Sequence, residues 1–124
     1  MIIKYTILNP TGNITALAET PVKTELQPAV ALKIMEREPT VEQVGFVSGN
    51  SLRMAGGEFC GNATMSAAAL ICAANGLDAG SKTTVELSSS GAGDLQVEIE
   101  ADSDGNFAGT VQMPLPLSIE NISL

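Results

Sequence analysis

Residues 56–77, GGEFCGNATMSAAALICAANGL, set one cysteine between a glycine pair and the start of an alanine-rich run whose composition predicts a helix over 61–75. A thiol in the first turn of a helix meets unpaired backbone N–H groups and the positive end of the helix macrodipole, and both favour thiolate. The amides of Gly61 and Asn62, followed by the small residues Ala63 and Thr64, leave room for an anion such as a carboxylate at the same helix start. A proton-transferring thiol at Cys60 and a carboxylate cradle therefore coincide. The ordinary alternative is a free cysteine buried as a small hydrophobe. Cys72, mid-helix among Ile71, Ala73 and Ala74, fits that alternative and stays outside the site.

Other chemistries for Cys60 need partners that the chain does not own. A cysteine hydrolase wants a histidine to make and orient its thiolate, and the sequence contains none. A phosphate-binding loop wants Gly-Lys-Ser/Thr after its glycines, where Cys-Gly-Asn stands instead. A structural zinc site would have to be built without histidine and without a C-x-x-C pair, so no metal ligands are assigned. In a helix rising about 1.5 Å per residue, Cys60 and Cys72 would lie about 18 Å apart, too far for a disulfide. What remains is a thiol that takes and returns a proton on a substrate held by its carboxylate.

The elements that must position this thiol are legible on either side of it. Ile3, Tyr5 and Ile7 in IIKYTIL alternate with polar or outward residues, and a second run, Ile14 to Ala18, follows the turn Asn9-Pro10-Thr11-Gly12-Asn13, so a hairpin is predicted. Thr24 to Gln27 offers a capping box, or Gln27 a cap before Pro28, and either starts a helix with Leu26, Val30 and Ile34 on one face and Pro39 at its end. Val41 to Val47 and Ser51 to Ala55 flank Ser48-Gly49-Asn50 as a second hairpin. Asn75-Gly76 closes the cysteine-bearing helix. Thr83 to Ser89, Asp94 to Glu100 and Phe107 to Met113 alternate between turn signals as three antiparallel strands. The expectation is α+β, an antiparallel sheet with helices.

Size and charge bound the function. A chain of 124 residues makes one modest core, and an active site between two lobes would have to find the second lobe elsewhere. Six Lys and Arg against fourteen Asp and Glu would repel a phosphate backbone or an anionic membrane surface, so neither nucleic acid nor membrane is an expected partner. The first dozen residues lack a signal-peptide pattern, and the longest apolar run, Met65 to Ala74, is far short of the roughly 20 residues of a membrane span. A cytoplasmic protein is expected.

The segment Glu58-Phe59-Cys60-Gly61-Asn62-Ala63-Thr64 resembles the Cys-Gly-Asn motif of the cofactor-independent amino-acid racemases and epimerases of the diaminopimelate epimerase fold. Asn9-Pro10-Thr11-Gly12-Asn13 resembles that family's first-hairpin Gly-Asn, and Glu42-Gln43 its Asp-Gln, in the same order and spacing. Within the family, the wording NPTGN, EQVGF and EFCGNATMS is most similar to the histidine-racemase branch. The resemblance implies a lobe over 1–114, antiparallel sheet wrapped around a central helix, and a linker over 115–124 toward a C-terminal lobe. It implies no cofactor, and a pair of cysteines that take and give a proton on opposite faces of the substrate Cα. Cys60 would be one of them, Gly61 and Asn62 would contact the substrate, and Asn13 and Gln43 would hold the amino-acid head. Asn13 could equally be a plain turn residue and Gln43 a solvent-facing one. Diaminopimelate epimerases carry Asn roughly where Met54 stands and Arg near Thr64-Met65, so a different amino acid, with histidine first, is the expected substrate.

The second cysteine segment of that family has no counterpart here, and proton transfer on two faces needs two groups, so this half alone is expected to be inactive. Three arrangements would complete it: a longer enzyme of which this is the N-terminal half, a separate C-terminal lobe, or a homodimer repeating Cys60 across a two-fold. The tail PLPLSIENISL favours the first. The rival readings are a phenazine-biosynthesis-like isomerase and a non-catalytic amino-acid-binding module of the same fold.

Overall fold

In the computed structural model, which describes residues 2–10, 12–104 and 106–111, two helices pack on one mixed sheet of seven strands. The strands are β1 Tyr5–Leu8, β2 Thr15–Ala18, β3 Gln43–Ser48, β4 Ser51–Met54, β5 Lys82–Ser89, β6 Gly93–Ala101 and β7 Phe107–Val111, and they lie in the sheet in chain order. Helix α1 spans Gln27–Arg37 and α2 spans Gly61–Ala74. The expected last strand ended at Met113, and residues 112–113, the end of the lobe at Pro114 and the linker 115–124 lie outside the described residues, as does Thr11 of the first turn.

The expectation of an antiparallel sheet is corrected. β2 pairs with β3, and β4 with β5, in parallel, while the other four pairings are antiparallel. The cause is the position of the helices in the chain. A strand that leaves the sheet through a helix and returns beside itself comes back in the same direction, and α1 and α2 are those two crossovers. Because the β3–β4 hairpin reverses direction between them, crossovers of one hand put their helices on opposite faces. That is observed: Ala31 and Ile34 of α1 pack with Ala16, Ala18, Val44 and Phe46, whereas Ala63 and Ala67 of α2 pack with Leu17, Leu52, Met54 and Leu87.

β2, covered on both faces, is buried along its whole length. α2 touches strands as far apart in the sheet as β2 and β7, so the sheet curves around it. Its small residues permit that approach. Ala63, Ala67 and Ala68 are fully buried, and Cys72 sits with Val85, Val97 and Ile99 in the far part of the core. Each large apolar side chain sealed here, such as Leu17, Leu52 or Leu87, stabilises the fold by roughly 1.5–3 kcal/mol. Strands β5 and β6 keep Glu86, Glu98 and Glu100 on the open face, with Lys82 bonded to Glu98 at 2.9 Å.

The start of α1 differs from both sequence readings. Thr24–Leu26 forms a short 3₁₀ turn, the cap position is Leu26, and no side chain caps the helix. Gln27 is its first residue, almost fully buried, with Nε2 donating to the Val22 carbonyl. Pro28 takes the first turn as expected, and the helix stops at Arg37 because Glu38, which precedes Pro39, leaves the helical region with φ −120° and ψ 82°.

Candidate active site

Cys60 is delivered by a short segment, 55–60, between β4 and α2. Gly57 turns the chain at φ 78°, its N–H donating to the Met54 carbonyl at 2.8 Å. The β5–β6 turn buttresses this segment from the side. Ser90 Oγ accepts from the Met54 N–H at 3.0 Å and donates to the Glu58 carbonyl at 2.6 Å, and Gly91 lies so close that a Cβ there would stand 2.5 Å from the Phe59 nitrogen.

At the end of the segment Cys60 occupies the cap position of α2 with extended backbone, φ −136° and ψ 113°. Its carbonyl accepts from the Thr64 N–H at 2.9 Å and from the Thr64 hydroxyl at 2.8 Å, and buried Ser89 bonds that hydroxyl in turn at 3.0 Å. No side chain caps the first turn, so the amides of Gly61, Asn62 and Ala63 have no intrahelical acceptor. The expected helix start with the thiol beside it is thus present.

The sulfur does not cap the helix; it turns toward the sheet. Cys60 Sγ donates to Gln43 Oε1 at 3.0 Å, and Gln43 Nε2 donates to Thr15 Oγ1 at 2.7 Å. Thr15 and Gln43 are register partners in the parallel β2–β3 pair, which sets their side chains side by side on the α2 face. The Thr15 hydroxyl donates to the Asn13 carbonyl at 2.9 Å. Asn13 Nδ2 donates to Glu42 Oε2 at 2.9 Å, and Asn62 Nδ2 donates to Asn13 Oδ1 at 3.2 Å. All five residues expected at the site, Asn13, Gln43, Cys60, Gly61 and Asn62, are therefore brought together, from two hairpins and a helix start.

An open cleft of about 460 Å³ is lined by Cys60, Gly61, Asn62 and Met65 on one side and by Gly109, Thr110 and Val111 of β7 on the other. Asn13 and Gln43 are not among its lining residues; they stand behind Asn62 and Cys60 and bond to protein partners. Gly109 keeps the cleft wall low, since a Cβ there would come within 3.3 Å of Met65 Cγ. A larger groove of about 730 Å³ adjoins it, sharing Met65 and Gly109 and running to Ile7 and Phe107 at the two sheet edges.

Two members of the network were missed from the sequence. Thr15 looked like an ordinary strand residue, and only the parallel register, which the helix between β2 and β3 implies, puts it opposite Gln43. Glu42 was noticed as the neighbour of Gln43 but not as the partner of Asn13. Cys72 is 3% exposed, and burial pushes its thiol up from the ordinary value. Both cysteines are free. Among the described residues no group of three or more Cys, Asp or Glu could hold a metal ion, and no helix is long and apolar enough to cross a membrane.

The chain is 35% and 34% identical, over 127 aligned residues, to histidine racemases from two strains of Fusobacterium nucleatum subsp. nucleatum. The match covers 99% of this chain and 48% of each relative, so the chain spans about half the length of the curated relatives it matches. Residues 2–124 match the family model described as histidine racemase CntK N-terminal domain, and the chain belongs to that family.

Proposed function

We propose that this chain is the N-terminal half of a cofactor-independent amino-acid racemase, acting on histidine, in which Cys60 is one of two proton-transfer groups at the substrate Cα. The reading rests on one observation above the rest: the Cys60 thiol, held from behind by the Gln43 amide, and the uncapped first turn of α2 meet at one open cleft. Membership of a family whose relatives are named histidine racemases supports a racemase reaction and makes histidine the first substrate to try.

The chemistry follows from the parts. A substrate carboxylate at the amides of Gly61 and Asn62 would accept hydrogen bonds from a helix start, and these donors strengthen as negative charge moves onto the carboxylate when the Cα proton leaves. A thiolate on one face takes that proton and a thiol on the other face returns one, which inverts the carbon. The second group and most of the side-chain pocket come from a C-terminal lobe of the diaminopimelate epimerase type, to which residues 115–124 lead. Residues 1–114 form the first lobe. Asn13 acts here by holding Asn62, and Gln43 by holding Cys60, with both within one side chain of the substrate head.

The test is deuterium incorporation at Cα in heavy water for a panel of L-amino acids, histidine first, using this chain and a full-length form that carries it. Full-length protein is expected to exchange histidine, Cys60→Ala is expected to lose the exchange, and this half alone is expected to give none. A folded full-length protein that exchanges no amino acid, or a Cys60→Ala form that exchanges at the original rate, would overturn the reading.

A further inference from the structure

We infer that Thr15 is a positioning residue that sets the direction of the Gln43 amide and, through it, whether Cys60 carries its proton. The inference rests on the reading of Cys60 as a proton-transfer group. It starts from the count of protons in the chain of bonds. A hydroxyl has one proton to give. Thr15 gives it to the Asn13 carbonyl, so toward Gln43 its oxygen can only accept. That admits the Nε2 end of the amide and turns Oε1 to the sulfur. A carbonyl oxygen can only accept, so the sulfur facing it at 3.0 Å holds its proton.

Each link in the series is therefore fixed by the one before it, from the Asn13 carbonyl to the Cys60 thiol. Thr15 is fully buried, so water offers its hydroxyl no third partner. Swinging the hydroxyl proton from Asn13 to Gln43 would reverse the amide, present Nε2–H to the sulfur and favour thiolate. A racemase needs both states of one sulfur: thiol when it gives a proton, thiolate when it takes one. Thr15 is the single-bond rotor that joins them.

No formal charge on the surrounding elements competes for this role. β2, β3 and β7 carry no ionisable side chain, and α2 carries only Cys72, at its far end. The titratable groups nearest along the chain are Glu42, engaged by Asn13, and exposed Glu58. Arg53 of β4 lies against Gly57, three residues before the thiol.

The experiment measures the rate of iodoacetamide alkylation of Cys60 against pH in the protein, with Cys72 as the internal reporter of folding. Thr15→Val keeps the shape but gives Gln43 nothing to donate to, so the amide is free to turn. Alkylation near neutral pH is expected to rise roughly three- to tenfold, the span of one net hydrogen bond, with the profile displaced to lower pH. Thr15→Ser retains a hydroxyl and is expected to follow the parent protein. A Thr15→Val profile superimposed on the parent, or a Thr15→Ser profile matching Thr15→Val, overturns the inference. Where Thr15→Val exposes Cys72 and has evidently unfolded, the parent protein decides by nuclear Overhauser contacts. The Gln43 Nε2 protons are expected to see Thr15; seeing the Cys60 β-protons instead overturns the assignment. None of these readouts needs turnover, so failure here with α-proton exchange intact removes only Thr15, and the reverse pattern removes only the racemase reading.

Discussion

Gly91 and Gly93 form a matched pair that isolates how the β5–β6 turn supports Cys60. Both sit at φ 77°, where a Cβ costs roughly 1–2 kcal/mol. Replacing glycine by alanine also stiffens the unfolded chain, which returns about 0.4–1 kcal/mol. Gly93→Ala, with nothing within 4 Å of the added atom, is therefore expected to destabilise by about 1 kcal/mol. Gly91→Ala carries the same backbone cost and also drives its methyl to 2.5 Å from the Phe59 nitrogen and 3.0 Å from the Glu58 carbonyl carbon. Backbone cannot rotate aside as a side-chain end can, so forced repacking adds roughly 1–3 kcal/mol. Urea denaturation of the two variants measures the difference directly. The same displacement pulls the residue before Cys60 away from the sheet, so Gly91→Ala is also expected to alkylate faster at Cys60 than Gly93→Ala. Stabilities equal to within about 0.5 kcal/mol, the usual limit of additivity, would refute the buttress.

Two further outcomes can be read without substrate. Tyr5 donates its hydroxyl to Glu38 Oε1 at 2.9 Å, and that hydrogen bond, then burial, then the carboxylate charge raise its pKa above the ordinary 10.0. Since Tyr5 is the only tyrosine in the chain, phenolate absorbance should titrate as one step above that value, and Glu38→Gln should bring the step down toward it. A group raised in the folded state contributes its stability in full below the unfolded value, so this contribution persists through neutral pH and is lost only as pH rises past the folded step. Gly45→Ala would push a methyl to 2.8 Å from Leu52 Cδ1, 3.1 Å from Leu17 Cδ2 and 3.2 Å from Met54 Sδ, three buried neighbours with little room to move. A loss of roughly 1–3 kcal/mol is expected by thermal or urea unfolding, and a gain in stability would contradict the packing described for the α2 face.

The elements were legible because each has a local cause. Alternating residues marked β5, β6 and β7, Gly49-Asn50 marked the β3–β4 turn, Pro39 ended α1, and Asn75-Gly76 ended α2, with Gly76 at φ 76°. Of the candidate site, Cys60, Gly61 and Asn62 were read from their place at a helix start, whereas Asn13 and Gln43 entered only through the family resemblance; the structure gathers the five at one place, with Asn13 and Gln43 behind the cleft wall. Strand direction was not legible from alternation, because a period of two is common to parallel and antiparallel strands. The two helices between paired strands held that information. The cap of α1 was misread for a different reason: T-x-x-Q satisfies a capping rule locally, but Gln27 is drawn into the interior, where its amide bonds Val22. Tertiary burial outweighed a cap of about 1 kcal/mol.

The parallel pairing that the sequence concealed is also what gives the site its polar network. With α1 on one face of β2 and α2 on the other, every residue of β2 is buried, and a polar side chain there must find its partners within the protein. Thr15 is that side chain, and register puts Gln43 beside it. The crossover through α1 thus does more than connect two strands: it brings β3 back parallel to β2, in the register that sets Gln43 beside buried Thr15 on the face that α2 covers and within reach of the Cys60 sulfur.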